Sequence, residues 1–186
     1  MSGLPMLPRV FILAVFLFPA LFCPGTALCG DMRKPTEYEV KAAYIYNFAK
    51  FIEWPATFRD RLDVIHVCVI GDDPFGSSLA TIEGKPVGKR RIGIRNLPSL
   101  QNTGGCEILF IANSEEGDLA RVVEAVNGSP VLTIGDTKGF TRQGVMINFY
   151  MDDKKVHFEI NPKAASRCGL KISSTLLCIA RIIGGQ

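Results

Sequence analysis

The sequence is poor in residues that do chemistry. It holds two histidines and one tryptophan among 186 residues. It has no nucleophile elbow, Walker loop, G-x-G-x-x-G, H-E-x-x-H or C-x-x-C, so no catalytic residues are assigned and no cofactor is expected. His66 falls in a strand and His157 on the mixed face of a hairpin, so both read as structural or surface residues. Without a His-x-x-x-His pair or clustered thiols, a metal site has little support. Charge is nearly balanced, with 21 basic against 18 acidic residues and a formal net charge of +3, which is too mild to indicate nucleic-acid binding. The 18 glycines and 11 prolines are too few for a fibrous or disordered chain.

No apolar run reaches the about 20 residues that a membrane-spanning helix needs. The mean hydropathy is nonetheless +0.20, and much of that comes from the front of the chain. Arg9 precedes Val10–Phe18, an unbroken apolar run of nine residues, followed by Pro19 and Pro24. A positive start, a short apolar core and the small residues Gly25-Thr26-Ala27 describe a secretory signal, with cleavage expected after Ala27 or, as second choice, after Cys29. An uncleaved anchor is one alternative. A lipoprotein is the other, although Phe22 and Leu28 are bulky where a lipobox takes a small residue. Removal of residues 1–27 leaves 20 basic against 18 acidic residues. The expected protein is residues 28–186, one exported periplasmic domain.

Thr36 and Glu39 form a capping-box pattern that opens a helix expected from Glu37 to Trp54 and closed by Pro55. Its apolar residues fall in two ridges, so it reads as buried on two sides, with Asn47 inside the broader arc and hydrogen-bonded. Strands are expected at Val64–Ile70, Arg91–Arg95, Glu107–Ala112 and Val131–Ile134, and helices near Phe75–Ile82 and over Glu115–Val126. Apolar strands alternating with helices imply a mostly parallel sheet flanked by helices. Gly144–Asn161 reads as an antiparallel hairpin. With Asp152-Asp153 as its turn, Phe149 faces Val156 and Ile147 faces Phe158. A short helix after Pro162 and a last helix capped by Ser173 or Ser174, with Leu176, Leu177, Ile179, Ala180 and Ile183 apolar, complete a single-domain α/β fold.

In an oxidising compartment the cysteines are candidate staples. Cys68 lies within the first strand and Cys106 just before the Glu107–Ala112 strand, so neighbouring parallel strands would bring them within bonding distance. Cys168 and Cys178 lie about 15 Å apart on one continuous helix, so they bridge only if the chain breaks at Gly169; free thiols are the alternative. Asp72, Asp73, Asp136 and Lys138 follow strands in the manner of a receiver domain, but the strand before Asn113 lacks the phosphorylatable Asp. They read as turn residues.

Several segments form a connected pattern: Val40-Lys-Ala-Ala-Tyr-Ile-Tyr-Asn-Phe-Ala-Lys-Phe-Ile-Glu-Trp-Pro55, Cys68 with Gly71 to Phe75, Cys106-Glu-Ile-Leu-Phe-Ile, and Val131-Leu-Thr-Ile-Gly with Phe140. Gly144 to Phe149, Phe158-Glu-Ile-Asn161 and Gly169-Leu-Lys-Ile-Ser-Ser to Leu177 extend it over nearly the whole mature chain. Together they resemble the YfiR family of periplasmic regulators. The resemblance implies an α/β sandwich that forms homodimers and has no known catalytic activity. It implies a repressor that holds an inner-membrane diguanylate cyclase inactive by binding its periplasmic domain, and that is released by sequestration on an OmpA-like outer-membrane lipoprotein. The output would be cyclic di-GMP, biofilm and motility.

The resemblance also supports the Cys68–Cys106 bridge. The second family bridge has no cysteine pair in this chain between Thr133 and Arg167. Tyr46, Asn47, Lys50, Phe51, Trp54, Pro55, Asn148, Phe158, Glu159, Asn161, Leu170 and Ser173 match the family pattern as structural or partner-binding positions. A protein–protein regulator of this kind predicts an exposed apolar patch on the first helix or in the 135–150 region. The rival expectation is a small-ligand-binding sensor module, associated with another membrane receptor or a histidine kinase, with a pocket near the strand ends after Gly71 or Gly135.

Overall fold

The computed structural model describes residues 33–56 and 63–184, all but Arg33 within the unit Lys34–Gln186. The expected export signal lies outside the described residues. The capping box forms as the sequence reading has it: Thr36 Oγ1 accepts the Glu39 N–H at 3.3 Å, and Glu39 Oε2 accepts the Thr36 N–H at 2.8 Å. It opens α1 (Glu37–Phe51).

This helix stops three residues short of the expected Trp54. Ile52 turns extended, and Ile52–Glu53 forms β1 against β9 (Lys171–Ile172), with Ile52 opposite Ile172. A pairing that short and that distant in sequence leaves no trace in helical periodicity.

Burial of α1 is one-sided, which corrects the two-sided reading. Lys41, Ala42, Ile45, Phe48 and Ala49 face inward, while Ala43, Asn47, Lys50 and Phe51 are exposed. The expectation that Asn47 is held inside an apolar face is therefore wrong; its amide meets solvent. Phe48 anchors the buried side, with ring centroids 5.7 Å from Phe149 and 5.0 Å from Phe158, and Tyr44 closes the cluster 5.3 Å from Phe158.

The main sheet has eight strands in the order β10-β8-β7-β6-β5-β2-β4-β3. They are β2 (Val64–Ile70), β3 (Pro86–Val87), β4 (Arg90–Leu97), β5 (Ile108–Ile111), β6 (Leu132–Gly135), β7 (Ile147–Asp152), β8 (Lys155–Ile160) and β10 (Arg181–Ile182). The run β4-β2-β5-β6-β7 is parallel, β7 and β8 form the expected antiparallel hairpin, and β10 returns parallel to β8. Fully apolar segments such as Ile108–Ile111 suit central strands covered on both faces. One face packs on α1. The other, with Leu109, Ile111 and Val145, packs on α2 (Leu119–Ala125) through Leu119 and Val122.

Several local expectations shift. The hairpin turn is Asp153-Lys154, both at positive φ (46° and 58°), so Phe149 faces Phe158 and Ile147 faces Ile160. The slip is two residues, an even number, so every side chain keeps its expected face. Phe75–Ile82 forms only a 3₁₀ turn at Leu79–Thr81, and a 3₁₀ segment over Asn113–Asp118 replaces the first turns of the Glu115–Val126 helix. Gly76 with Ser77-Ser78, and Gly117 in the second case, are weak helix formers. After α3 (Pro162–Arg167) the last helix, α4 (Ser174–Cys178), is one turn long. Ile179 is thus 67% exposed, and the chain leaves as β10 instead of continuing an amphipathic helix.

Candidate functional site

Asp136 follows the central strand β6, and α1 crosses above it. Lys41 Nζ lies 2.7 Å from Asp136 Oδ2 and 2.6 Å from Glu37 Oε1, and the Tyr38 hydroxyl donates to Asp136 Oδ2 at 3.1 Å. Lys41 is 3% exposed. Burial alone would pull its pKa down, but the hydrogen bonds to Asp136 and Glu37 outweigh that and hold it above the ordinary lysine value. Burial and the Asp136 charge raise Tyr38 above the ordinary tyrosine value. The cluster is a charged peg that fixes the motif helix to the end of the sheet.

Beside it opens a cleft of about 450 Å³, lined by residues that include Asp136, Lys138, Arg142, Asn148, Glu159 and Arg181. Gly135 directly precedes Asp136, and a Cβ there would meet Phe140 at 2.6 Å and Asn148 Oδ1 at 3.1 Å, so only glycine fits without displacement. Asn148, opposite Gly135 on β7, is 1% exposed. Its Nδ2 donates to the Phe149 carbonyl at 3.2 Å, while its Oδ1 has no partner. Glu159 accepts a hydrogen bond from the Thr141 hydroxyl. Asn161 Nδ2 donates to the Thr141 carbonyl at 2.9 Å, and Asn161 Oδ1 caps α3 by accepting from the Ala164 N–H at 3.0 Å. Arg181 stacks 4.1 Å over the Tyr150 ring.

The sequence-selected residues gather in two places. Asn148 and Glu159 line the cleft, Asn161 ties the neighbouring Thr141 to the start of α3, and Phe158 is buried in the core below α1. The second group surrounds the end of α1: the Ser173 N–H donates to the Phe51 carbonyl at 3.0 Å, and its hydroxyl caps α4 through the Leu176 N–H at 3.3 Å. Leu170 is buried, Pro55 lies against Gly169, and Trp54 is buried under the Arg90 guanidinium, 5.5 Å from its ring. Tyr46 donates to the Pro86 carbonyl at 2.9 Å, and Lys50 Nζ lies 3.8 Å over the Tyr46 ring. Phe51, 38% exposed, remains open on the outer face.

Cys68 and Cys106 form the expected disulfide, whereas Cys168 and Cys178 are free, the first buried and the second exposed. Next to the bridge, Glu107 is fully buried and Oε2 accepts the His66 N–H at 2.7 Å. Burial raises its pKa above the ordinary 4.5, only partly opposed by that hydrogen bond and the neighbouring His66 and Arg90.

Sequence reading missed Lys41, Thr141, Arg142 and Arg181, and took Asp136 for a turn residue. A signal existed for the first: Lys41 interrupts a run of inward-facing positions, and a charge on a buried helix face demands a partner. The depression after Gly71 is lined by Asp72, Glu115 and Asp118, with Arg121 held by Asp118 at 3.0 Å. No helix among the described residues is long and apolar enough to cross a membrane.

In fold the chain is similar to a conserved domain protein from Vibrio cholerae, at 10% identity and a TM-score of 0.54, with 79% of this chain and 60% of that one covered. It thus spans about 60% of that protein's length. A second solved structure, the ABC domain from Streptococcus pneumonia in complex with L-Trp, matches at 11% identity and a TM-score of 0.48, covering 64% of this chain and 56% of that one. The family model described as YfiR/HmsC-like matches residues 38–181, a span that takes in the motif helix, the whole parallel sheet, the hairpin and the cleft, and the chain belongs to that family.

Proposed function

We propose that the protein is an exported, non-enzymatic regulator that represses an inner-membrane diguanylate cyclase by binding its periplasmic domain. Residues 1–27 serve as its cleaved export signal and residues 28–186 as the regulatory domain. The observation that carries this reading is the outward face of α1. Asn47, Lys50 and Phe51 lie in the segment that carries the resemblance to the family, yet they are exposed rather than spent on the core. An exposed aromatic flanked by an amide and a cation is suited to an anchor at a protein interface. Family membership and the Cys68–Cys106 disulfide support the periplasmic setting. A homodimer and release by an OmpA-like outer-membrane lipoprotein complete the proposed cycle.

The test is co-purification of mature protein with the periplasmic domain of the diguanylate cyclase encoded nearest to it. Retention on the immobilised domain is expected. Absence of association with any periplasmic sensor domain would sink the proposal.

A further inference from the structure

The cleft beside Asp136 holds an imbalance of charge and one uncompensated polar atom. Of its two acids, Asp136 is paired with Lys41 and bonded by Tyr38, and Glu159, which accepts from the Thr141 hydroxyl, is the one carboxylate left to set against the cations. Its three cations, Lys138, Arg142 and Arg181, have no ion-pair partner among the described residues. At the floor, Asn148 spends its amide donor on the Phe149 carbonyl and leaves Oδ1 buried and unpartnered. A buried acceptor without a donor is costly, and native folds rarely leave one so without a reason. Tyr150, held under Arg181, gives the cleft an aromatic wall. The volume, about 450 Å³, lies within the range of small-molecule sites.

We propose that this cleft binds a small anionic metabolite that also carries an N–H or O–H donor: its carboxylate or phosphate meets Lys138, Arg142 and Arg181, and its donor reaches Asn148 Oδ1. Planar guanidinium groups suit either oxyanion, and the donor requirement separates this ligand from a simple inorganic anion. The site is independent of which membrane partner the protein binds. Occupancy would bridge the end of β6, the hairpin and β10.

The experiment is titration of isotopically labelled mature protein, followed by amide chemical shifts, with N-acetylglycine, its neutral analogue N-acetylglycinamide, acetate and inorganic phosphate. N-acetylglycine is expected to give saturable shifts at Asp136 to Gly139 and at Tyr150. N-acetylglycinamide, lacking the charge, and acetate, lacking the N–H, should bind roughly tenfold more weakly or worse. Lys138→Gln with Arg142→Gln, or Arg181→Gln alone, should weaken N-acetylglycine about tenfold without moving Tm. Asn148→Ala should reduce N-acetylglycine to the affinity of acetate; should that variant not fold, the exposed-cation variants decide. No saturable shift at the cleft with any probe, or shifts unchanged in the cation variants, would overturn the proposal. Binding of phosphate alone would overturn the donor requirement.

Discussion

The charged peg between α1 and β6 can be broken from either side, with different consequences. At 2.7 Å and an effective dielectric of 20, Lys41 and Asp136 attract by about 6 kcal/mol before the cost of desolvating both is counted. That cost is several kcal/mol per ion, so the intact pair adds little net stability, but a stranded partner is expensive, at about 3–5 kcal/mol. Lys41→Met strands Asp136, whose side chain is 8% exposed and keeps only the Tyr38 hydroxyl; a loss of about 3 kcal/mol is expected. Asp136→Asn strands Lys41, but Glu37 remains at 2.6 Å and is 39% exposed, so the loss should be smaller, about 2 kcal/mol.

Removing both charges leaves neither stranded. The double variant should therefore be more stable than the sum of the singles requires, by about 1–3 kcal/mol. Urea denaturation of the mature protein measures this as shifts in midpoint at constant m. The pH dependence follows the same cluster. Lys41 and Tyr38 both have folded pKa values above their ordinary ones, so their contribution is complete below the unfolded values, near 10, and is lost as pH rises through the folded ones. Lys41→Met should flatten that alkaline limb. Single losses below about 0.5 kcal/mol, or losses that simply add, would refute the reasoning.

Three further outcomes follow from the same structure. Replacing Cys68 and Cys106 by alanine opens a loop with a sequence separation of 38 and should cost about 4 kcal/mol on the chain-entropy estimate; an unchanged urea midpoint would contradict it. Glu107 has a folded pKa above 4.5, so its stabilising contribution is full below that value and lost as pH rises through the folded one. Glu107→Gln, relative to wild type, should therefore gain more at pH 7 than at pH 4 in thermal unfolding, and an equal difference at both would refute this. Asn161→Ala loses the α3 cap and the tie to Thr141, and calorimetry should show a Tm drop of about 2–8 °C, with no drop counting against the cap.

Much of the sheet was legible because central parallel strands are apolar on both faces. Val64–Ile70 appears as read, and β4, β5 and β6 are found within about two residues of their expected limits. The first cap was legible because Thr36 and Glu39 carry a local mechanism. What escaped depends on contacts far apart in sequence. The end of α1 is decided by Ile172, not by Pro55. The hairpin turn went to Asp153-Lys154, since a pattern of period two allows an even slip without exposing an apolar side chain. The exposure of Asn47 escaped because the helix has two apolar ridges and its sequence reads as buried on both; only the sheet beneath α1 selects between them.

For the site, the motif supplied Asn148, Glu159 and Asn161 but not their partners. Thr141 and Arg142 sit in a 3₁₀ turn, and Arg181 on a two-residue strand, neither of which has a periodic signature. Asp136 read as a turn residue because its partner, Lys41, lies on another element.

The proposed role of α1 is that its outer face silences a membrane cyclase. Its direct measurement is cyclic di-GMP synthesis by the full-length diguanylate cyclase in membranes, titrated on the periplasmic side with wild-type mature protein and with Phe51→Asp. Wild-type protein should repress synthesis saturably, and Phe51→Asp should not, while its circular-dichroism spectrum still shows the native fold, since Phe51 is 38% exposed and no member of the buried core. Synthesis indifferent to the wild-type protein, or repressed equally by the variant, would contradict the account.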